Sequence, residues 1–237
     1  MKDSEIIIKE FKEFNLEEGY LIDGFPSVGF SSAIATESMI HTSQFELGGI
    51  IDSKIFPPIS VIKEGKPNYP SRIFINENLK VGVFSSYLNL DQSLHRQVSE
   101  AMLEWSKKHK IKLIVSVAVK SEKENSEMMG VGSTESARKK IEEAGLKVLD
   151  HGTIPGIPGM LLNEGSITNQ DVIVIIFNTS GEGPDFKSSA ELCMTMSKLI
   201  PGASCDIPSL QKEAEKAEAT IKETQEESTH LKDSMYR

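Results

Sequence analysis

Two segments of almost continuous apolar residues constrain the fold of this chain more than any other feature of its sequence. They are LIVSVAV, from Leu113 to Val119, and DVIVIIF, from Asp171 to Phe177. Both are short and rich in β-branched residues, which is typical of strands. A strand that is apolar on both sides needs cover on both sides, as in the parallel sheets of α/β proteins. The two segments therefore predict central strands of a covered sheet.

Shorter β-branched runs alternate with helical patterns along most of the 237 residues. This alternation predicts an α/β fold with a mostly parallel sheet flanked by helices. Asp91 and Asp185 are expected to cap the starts of two helices, and Gly145 to follow the end of another. The other predicted strands are Ile6–Phe11, Tyr20–Asp23, Leu47–Ile51, Arg72–Ile75, Lys80–Ser85 and Lys147–Asp150. The predicted helices are Gly29–His41, Asp91–His109, Thr134–Ala144, Asp185–Leu199 and Pro208–Lys232.

The C-terminal stretch, residues 208–237, differs from the rest in being rich in Glu, Lys, Ala and Gln. We expect residues 1–207 to form one α/β core domain and residues 208–237 to form a charged helical arm. A thin apolar stripe at helical spacing would rest the arm on the domain or on a neighbouring subunit. From Glu223 onward this stripe largely disappears, so we expect the helix to fray there and release a mobile tail. The stripe consists of Leu210, Ala214, Ala217 and Ile221.

Composition excludes several classes of function. A net charge of −9 argues against binding to a nucleic acid backbone, and no apolar run is long enough to cross a membrane. The five histidines have no metal-ligand spacing, and no catalytic triad can be assembled, so we expect neither a metal nor a cofactor. Cys193 and Cys205 form no disulfide framework, and we expect them to be buried or idle thiols in a reducing cytoplasm.

Two glycine–proline motifs are candidates for a ligand loop. DGFPSVGF, Asp23–Phe30, follows a strand and opens a helix, where ligands bind in open α/β sheets. Its Pro26 replaces the glycine of a dinucleotide fingerprint, so a structural turn is the alternative. GTIPGIPGM, Gly152–Met160, is either the lining of a cleft or a rigid crossover.

The proline-rich segment FPPISVIKEGKPNYPSR, Phe56–Arg72, resembles a hairpin with Gly65 in its turn. Exposed Phe56, Ile59 and Tyr69 would suit a protein–protein interface. The alternative is a covered edge of the sheet, where the prolines prevent further strand pairing.

The chain ends in Met235, Tyr236 and Arg237. An extended tail with an aromatic anchor and a free carboxylate fits peptide capture in a basic pocket. Chance is the alternative for a motif this short.

The whole-chain pattern resembles the proteasome assembly chaperone 2 family. The resemblance is carried by GFPSVGFSSAIATESMI with its Gly24, Pro26 and Gly29, by the proline segment before RIF, and by the GTIPGIPG loop. It continues in TSGEGPDFKSSAELCMTMSKLI, where Ser189 replaces a common alanine, and in DIPSLQKEAEKAE. The low-complexity helix and the Met-Tyr-Arg end resemble archaeal members, which carry a hydrophobic–tyrosine–any-residue motif.

The resemblance implies a non-enzymatic, cytoplasmic α/β protein related in fold to purine nucleoside phosphorylases. Such a protein would form a homo-oligomer, a tetramer or a pentamer, and bind the α-subunits of the proteasome core particle. Met235 would fill an apolar niche between α-subunits, Tyr236 would anchor the tail, and the carboxylate of Arg237 would pair with a lysine. The alternatives are a self-assembling scaffold or adaptor for another protein, and an enzyme that uses Asp23–Phe30 as a nucleoside or phosphate site.

Overall fold

The computed structural model describes residues 6–26, 31–120, 128–178 and 186–235 of the chain. Its strands are β1 (Ile7–Glu10), β2 (Tyr20–Gly24), β3 (Glu46–Asp52), β4 (Val61–Lys63), β5 (Lys66–Asn68), β6 (Ser71–Asn76), β7 (Val81–Ser86), β8 (Leu113–Lys120), β9 (Met129–Gly132), β10 (Lys147–Val148) and β11 (Asp171–Asn178). Its helices are α1 (Ser31–Thr42), α2 (Gln92–Lys108), α3 (Glu135–Glu143), α4 (Gly156–Thr168), α5 (Phe186–Leu199) and α6 (Ile207–Met235). The α/β fold with a helix at its C-terminal end is confirmed.

Nine strands form one sheet in the order β1-β3-β6-β7-β2-β8-β11-β9-β10. Its centre is parallel, because β2 pairs with β7 and β8, and β8 pairs with β11. The two apolar segments are β8 and β11, and they pair in parallel from Leu113–Asp171 to Lys120–Asn178. Antiparallel pairs extend the sheet beyond β7 on one side and β11 on the other. The predicted central strands are therefore confirmed.

Helices cover both faces of this sheet and give it two hydrophobic cores. On one face, α2 and α4 pack over a cluster that includes Ile114 and Trp105. On the other face, α1, α3 and α5 pack over a cluster that includes Val115 and Met196. The adjacent residues Ile114 and Val115 of β8 thus enter opposite cores, as the pleat of a strand requires. The continuous apolar run of β8 follows from this double burial.

Local signals in the sequence act where they were expected. The Asp91 side chain accepts a hydrogen bond from the Ser93 amide at 3.0 Å and caps α2. Gly145 follows α3 with φ of +76°, a backbone conformation that glycine adopts without a steric penalty. Asp185, the other expected cap, lies outside the described residues.

Helix α4 was not predicted, because its prolines and glycines were interpreted as a rigid loop. The helix begins at Gly156, and Pro158 lies in its first turn, where the missing amide hydrogen is not needed. A β-carbon on Gly159 would lie 2.0 Å from the carbonyl oxygen of Ile154. Gly159 therefore lacks a side chain at a point where the helix backbone lies against the carbonyl of Ile154.

The expectation for the cysteines was wrong. Cys193 of α5 and Cys205, just before α6, form a disulfide with their Cα atoms 6.2 Å apart. The sequence separation of 12 residues spans the end of α5 and the return of the chain toward α6. The last turns of α5 and the return loop together bring the two thiols into contact, which spacing alone could not show.

The edge strand β1 is held to α2 by the carboxylate of Glu10. This carboxylate accepts hydrogen bonds from the Trp105 indole at 3.0 Å, His109 Nε2 at 2.7 Å and Lys108 Nζ at 2.6 Å. Burial raises the pKa of Glu10, but the hydrogen bonds from Lys108 and His109 outweigh it, so the pKa lies below its ordinary 4.5.

We expect Glu10→Gln to lower the free energy of unfolding by about 1 kcal/mol at pH 7. The value is modest because the Glu10–Lys108 ion pair is partly exposed to solvent. Because the pKa of Glu10 is lower in the folded state than in the unfolded state, its ionisation stabilises the folded protein at pH values above the unfolded pKa. This stabilisation is lost as the pH falls through the folded pKa. The difference between wild type and variant should therefore shrink below about pH 4 in urea unfolding curves. Glu143→Gln, which removes an exposed partner of Lys139, is the control and should leave the midpoint unchanged. An equal loss in both variants would contradict the assignment.

Candidate functional site

Helix α6 is the arm, and its first half is anchored on the body of the protein. Leu210 is buried against Ile34 of α1. Ile221 is fully buried in a cluster with Ala33, Val61 and Tyr87. The predicted apolar stripe therefore rests on the domain at both of its ends, while the side chains of Ala214 and Ala217 lie outside the described part.

The expectation that the arm frays from Glu223 was wrong, since α6 continues without a break to Met235. Thr224 is buried, and its hydroxyl donates a 2.6 Å hydrogen bond to the carbonyl of Thr220. A helix that is already nucleated by buried contacts adds further residues at low cost, and Glu, Lys and Gln are good helix formers. The charged segment therefore extends a helix that the anchor has started.

The three predicted docking residues lie at the end of this extended helix. Met235 is the last residue of α6, and Tyr236 and Arg237 lie outside the described residues. At a rise of 1.5 Å per residue, Met235 lies about 16 Å beyond Thr224 along the helix axis. Between them, residues 224–226 and 228–230 of the arm and Leu88 and Asn89 of the β7–α2 loop line a groove of about 550 Å³.

A buried polar cluster lies beneath the anchor of the arm. The Arg72 guanidinium lies over the Phe74 ring at 4.9 Å and the Tyr87 ring at 4.8 Å, and 3.4 Å from the Glu37 carboxylate. Ser85 donates to the same Glu37 oxygen at 2.8 Å. Burial raises the pKa of Tyr87 to about 12, and the charge of Glu37 adds to the effect. Tyr87, which Ile221 contacts, is therefore a neutral phenol fixed by its neighbours.

The proline-rich segment forms the expected hairpin of β4 and β5, with Glu64 and Gly65 at positive φ in its turn. Two of the three candidate interface residues are not as exposed as predicted. Phe56 is only 7% exposed and belongs to the main core, and Ile59 is half-buried. The chain returns to the surface at Pro57 and Pro58, immediately after the buried Phe56. Tyr69 is 50% exposed, as expected.

The hairpin exposes a residue that sequence reasoning missed. Ile62 is 66% exposed, whereas its neighbour Val61 is buried against Ile221. Successive residues of a strand point to opposite faces, so once Val61 faces the arm, Ile62 must face outward. The exposed apolar surface of the hairpin therefore consists of Ile62 and Tyr69.

The two glycine–proline motifs come together in one cleft, which neither motif indicates by itself. Asp23 of β2, Phe25 and Pro26 after it, and the 154–160 segment at the start of α4 line a cavity of about 1200 Å³. Residues 117–119 near the end of β8 and residues 89–92 at the start of α2 form much of the remaining wall. Residues 27–30 of the first motif lie outside the described residues.

Asp23 forms part of the wall of this cleft and is only 4% exposed. Its Oδ2 accepts a 2.6 Å hydrogen bond from Ser116, and its Oδ1 accepts one from the Phe25 amide at 3.1 Å. Burial raises the pKa of Asp23 to about 6, although both hydrogen bonds act to lower it. Ser116 is the one polar residue in the LIVSVAV run, and this was the signal that could have located its partner.

Over residues 6–26, 31–120, 128–178 and 186–235, no group of three or more His, Cys, Asp or Glu side chains could hold a metal ion. No helix in the same ranges combines the length and the apolar character needed to cross a bilayer.

The chain is similar to several known proteins over most of its length. Its sequence matches the model of the PAC2 family over residues 21–225. PbaA of Pyrococcus furiosus, an archaeal homologue of proteasome-assembly chaperone, is 27% identical, with a TM-score of 0.80 over 95% of this chain and 100% of that one. An uncharacterised protein of Methanocaldococcus jannaschii is 27% identical over 236 residues, 98% of this chain and 94% of that protein.

PbaB of Pyrococcus furiosus, an archaeal proteasome activator, shares the fold. Its TM-score is 0.71 over 93% of this chain and 99% of that one, at 17% identity. The family model spans nearly the whole α/β body and the anchored half of the arm. The chain is therefore a member of the PAC2 family.

Proposed function

We propose that this protein is a non-enzymatic, cytoplasmic chaperone or activator that binds the proteasome core particle through its C-terminal residues. The observation that carries the proposal is the arm, a continuous helix that is anchored at Leu210, Ile221 and Thr224 and extends to Met235. Membership of the PAC2 family and the 27% identity to an archaeal homologue of proteasome-assembly chaperone support the choice of partner.

In this proposal each residue of the tail has its own role. Met235 enters an apolar niche between α-subunits, Tyr236 packs its ring and donates a hydrogen bond from its hydroxyl, and the terminal carboxylate pairs with a lysine. The Arg237 side chain contributes little, because the chain end is bound through its carboxylate. A short peptide of this kind binds weakly, so several tails on one oligomer are needed for useful affinity.

The body of the protein gives the tail a defined starting point. Leu210, Ile221 and Thr224 fix α6 on the domain, and the helix beyond them limits the volume that the tail can sample. A tail that searches a smaller volume has a higher effective concentration at its pocket. The anchored arm therefore serves multivalent docking better than a flexible linker of equal length.

We expect Tyr236→Ala, and deletion of residues 235–237, to weaken binding to purified proteasome core particles by about thirtyfold or more. The reason is that removing a central aromatic anchor costs about 2 kcal/mol in each engaged tail. Arg237→Ala is the matched control and should change affinity by less than about threefold. Biolayer interferometry measures binding, and fluorogenic peptide hydrolysis reports any activation.

The oligomer must be the same in all these variants, which native mass spectrometry checks. Unchanged binding after the deletion would refute docking through the tail and favour an adaptor for another protein. An equal loss in Arg237→Ala would show that the side chain, not the carboxylate, is recognised.

The anchor of the arm can be tested separately from the tail. We expect Ile221→Ala to increase the rate of tryptic cleavage after Lys222 by about thirtyfold or more, since truncating a buried isoleucine costs about 2–5 kcal/mol. Glu227→Ala changes an exposed residue of the same helix and should leave the rate unchanged. Equal rates in wild type and Ile221→Ala would show that the arm is not held by this contact.

Self-association, as a tetramer or a pentamer, is proposed to use the exposed face of the hairpin. Ile62 and Tyr69 form its apolar part, and a second copy of the chain is the occupant that multivalent docking requires. We expect Ile62→Asp to shift the oligomer toward monomer in native mass spectrometry at micromolar concentration. Ile167→Asp is the control, because Ile167 is 78% exposed on α4 outside the hairpin. An intact oligomer in Ile62→Asp would place the interface elsewhere.

A further inference from the structure

The cleft lies at the topological switch point of the sheet. The parallel strands β2 and β7 are neighbours, and their chains leave toward opposite faces. Helix α1, after β2, packs on one core, and α2, after β7, packs on the other. In open α/β sheets, divergent connections of this kind leave a crevice at the carboxyl ends of the strands, where ligands bind. The cleft occupies this position.

One side of the cleft wall is apolar. Phe25 and Pro26 come from the end of β2, Val119 from β8, and Ile157 and Met160 from α4. A volume of about 1200 Å³ is large enough to enclose a small organic molecule. The apolar wall favours a ligand with a flat or branched hydrocarbon body.

Asp23 is the charged residue on this apolar side of the cleft. The residue is only 4% exposed, yet the two hydrogen bonds described for its carboxylate come from uncharged donors, Ser116 and the Phe25 amide. Buried carboxylates in folded proteins are ordinarily paired with a cation or neutralised by a proton. In the described part of the chain no lysine, arginine or histidine makes an ion pair with Asp23.

The charged and titratable side chains that line the rest of the cleft all belong to the start of α2. They are Asp91, the cap of that helix, His95, and Arg96, which is mostly exposed. His95 Nε2 lies 3.2 Å from the carbonyl of Leu90, and Arg96 lies 4.0 Å from Glu164. Among the described lining residues Arg96 is the one lysine or arginine, and it lies beside Glu164, so in this part of the chain Asp23 is left for a ligand.

We propose that the cleft binds a small organic cation with an apolar body, whose ammonium or amidinium group pairs with Asp23. The cation supplies the positive charge that the two uncharged donors do not provide, and the apolar body fills the space between β8 and α4. The proposal concerns binding and not turnover, and it does not depend on docking of the arm.

The experiment uses benzamidine as a probe and two molecules of the same shape as controls. Benzamidine is a cation, benzamide is neutral and benzoate is an anion. Comparing their affinities therefore distinguishes recognition of the charge from recognition of the apolar ring. We expect saturable millimolar binding of benzamidine to the full chain at pH 7.5 in 150 mM NaCl, followed by shifts of backbone amide NMR signals. Benzamide should bind at least about tenfold more weakly, and benzoate should not bind, because a desolvated ion pair discriminates by charge.

The pH dependence follows from the state of Asp23. A carboxyl group with a pKa of about 6 is charged at pH 7.5 and about nine-tenths protonated at pH 5. Benzamidine should therefore bind about tenfold more weakly at pH 5. Asp23→Asn should remove the preference for benzamidine over benzamide at pH 7.5.

A second variant guards against a change in folding. Asn163 is exposed at the rim of the cleft, so Asn163→Trp narrows the opening without disturbing the core. It should weaken benzamidine binding while the unfolding midpoint stays unchanged. The proposal is overturned if no saturable binding occurs up to about 10 mM, or if benzamide binds as well as benzamidine. Shifts confined to residues outside the cleft, or undiminished binding in Asp23→Asn, would also overturn it.

Discussion

Burial of the parallel pair β8–β11 on both faces is the constraint on which the rest of the structure depends. Ile114 and Val115 belong to opposite cores, so neither face of the sheet can be left to water. Helices α2 and α4 cover one face, and α1, α3 and α5 cover the other. Because consecutive connections must reach both faces, they diverge between β2 and β7, and the cleft opens there. The same layering leaves the outer side of α1 for the arm, which is why residues all round α1 are buried.

The sequence predicted the features that depend on neighbours along the chain. The apolar runs of β8 and β11, the Asp91 cap and the turn at Gly65 each follow from a few adjacent residues. Features that depend on contacts across the fold were missed. Phe56 is buried by elements distant in sequence, and Ser116 meets Asp23 only through the pairing of β8 with β2. The arm stays helical beyond Glu223 because buried contacts at Ile221 and Thr224 nucleate it, and propensity alone underestimates this effect.

The polar cluster under the arm fixes geometry more than it adds stability. A buried ion pair such as Arg72–Glu37 loses about as much free energy by leaving water as it gains by attraction. The rings of Phe74 and Tyr87 and the Ser85 hydroxyl offset part of this cost. What the cluster secures is the position of Tyr87, on which Ile221 rests. At the other end of the anchor, the Cys193–Cys205 disulfide joins α5 to the segment just before the arm. Cys205 also packs beside Ile34 and Leu210, the first buried contact of the arm.

The arm and the cleft meet at one short segment, the loop between β7 and α2. Asn89 lines both the cleft and the groove beneath residues 224–226 and 228–230 of the arm. Leu88 and Leu90 on either side of it are buried in the main core, so the loop cannot shift without moving that core. Packed cores change between discrete arrangements and do not bend freely. A ligand in the cleft could therefore influence the arm only by switching this loop between two such arrangements. Linkage between binding events is reciprocal, so a ligand that moved Asn89 would alter docking of the arm by the same factor that the arm altered ligand affinity.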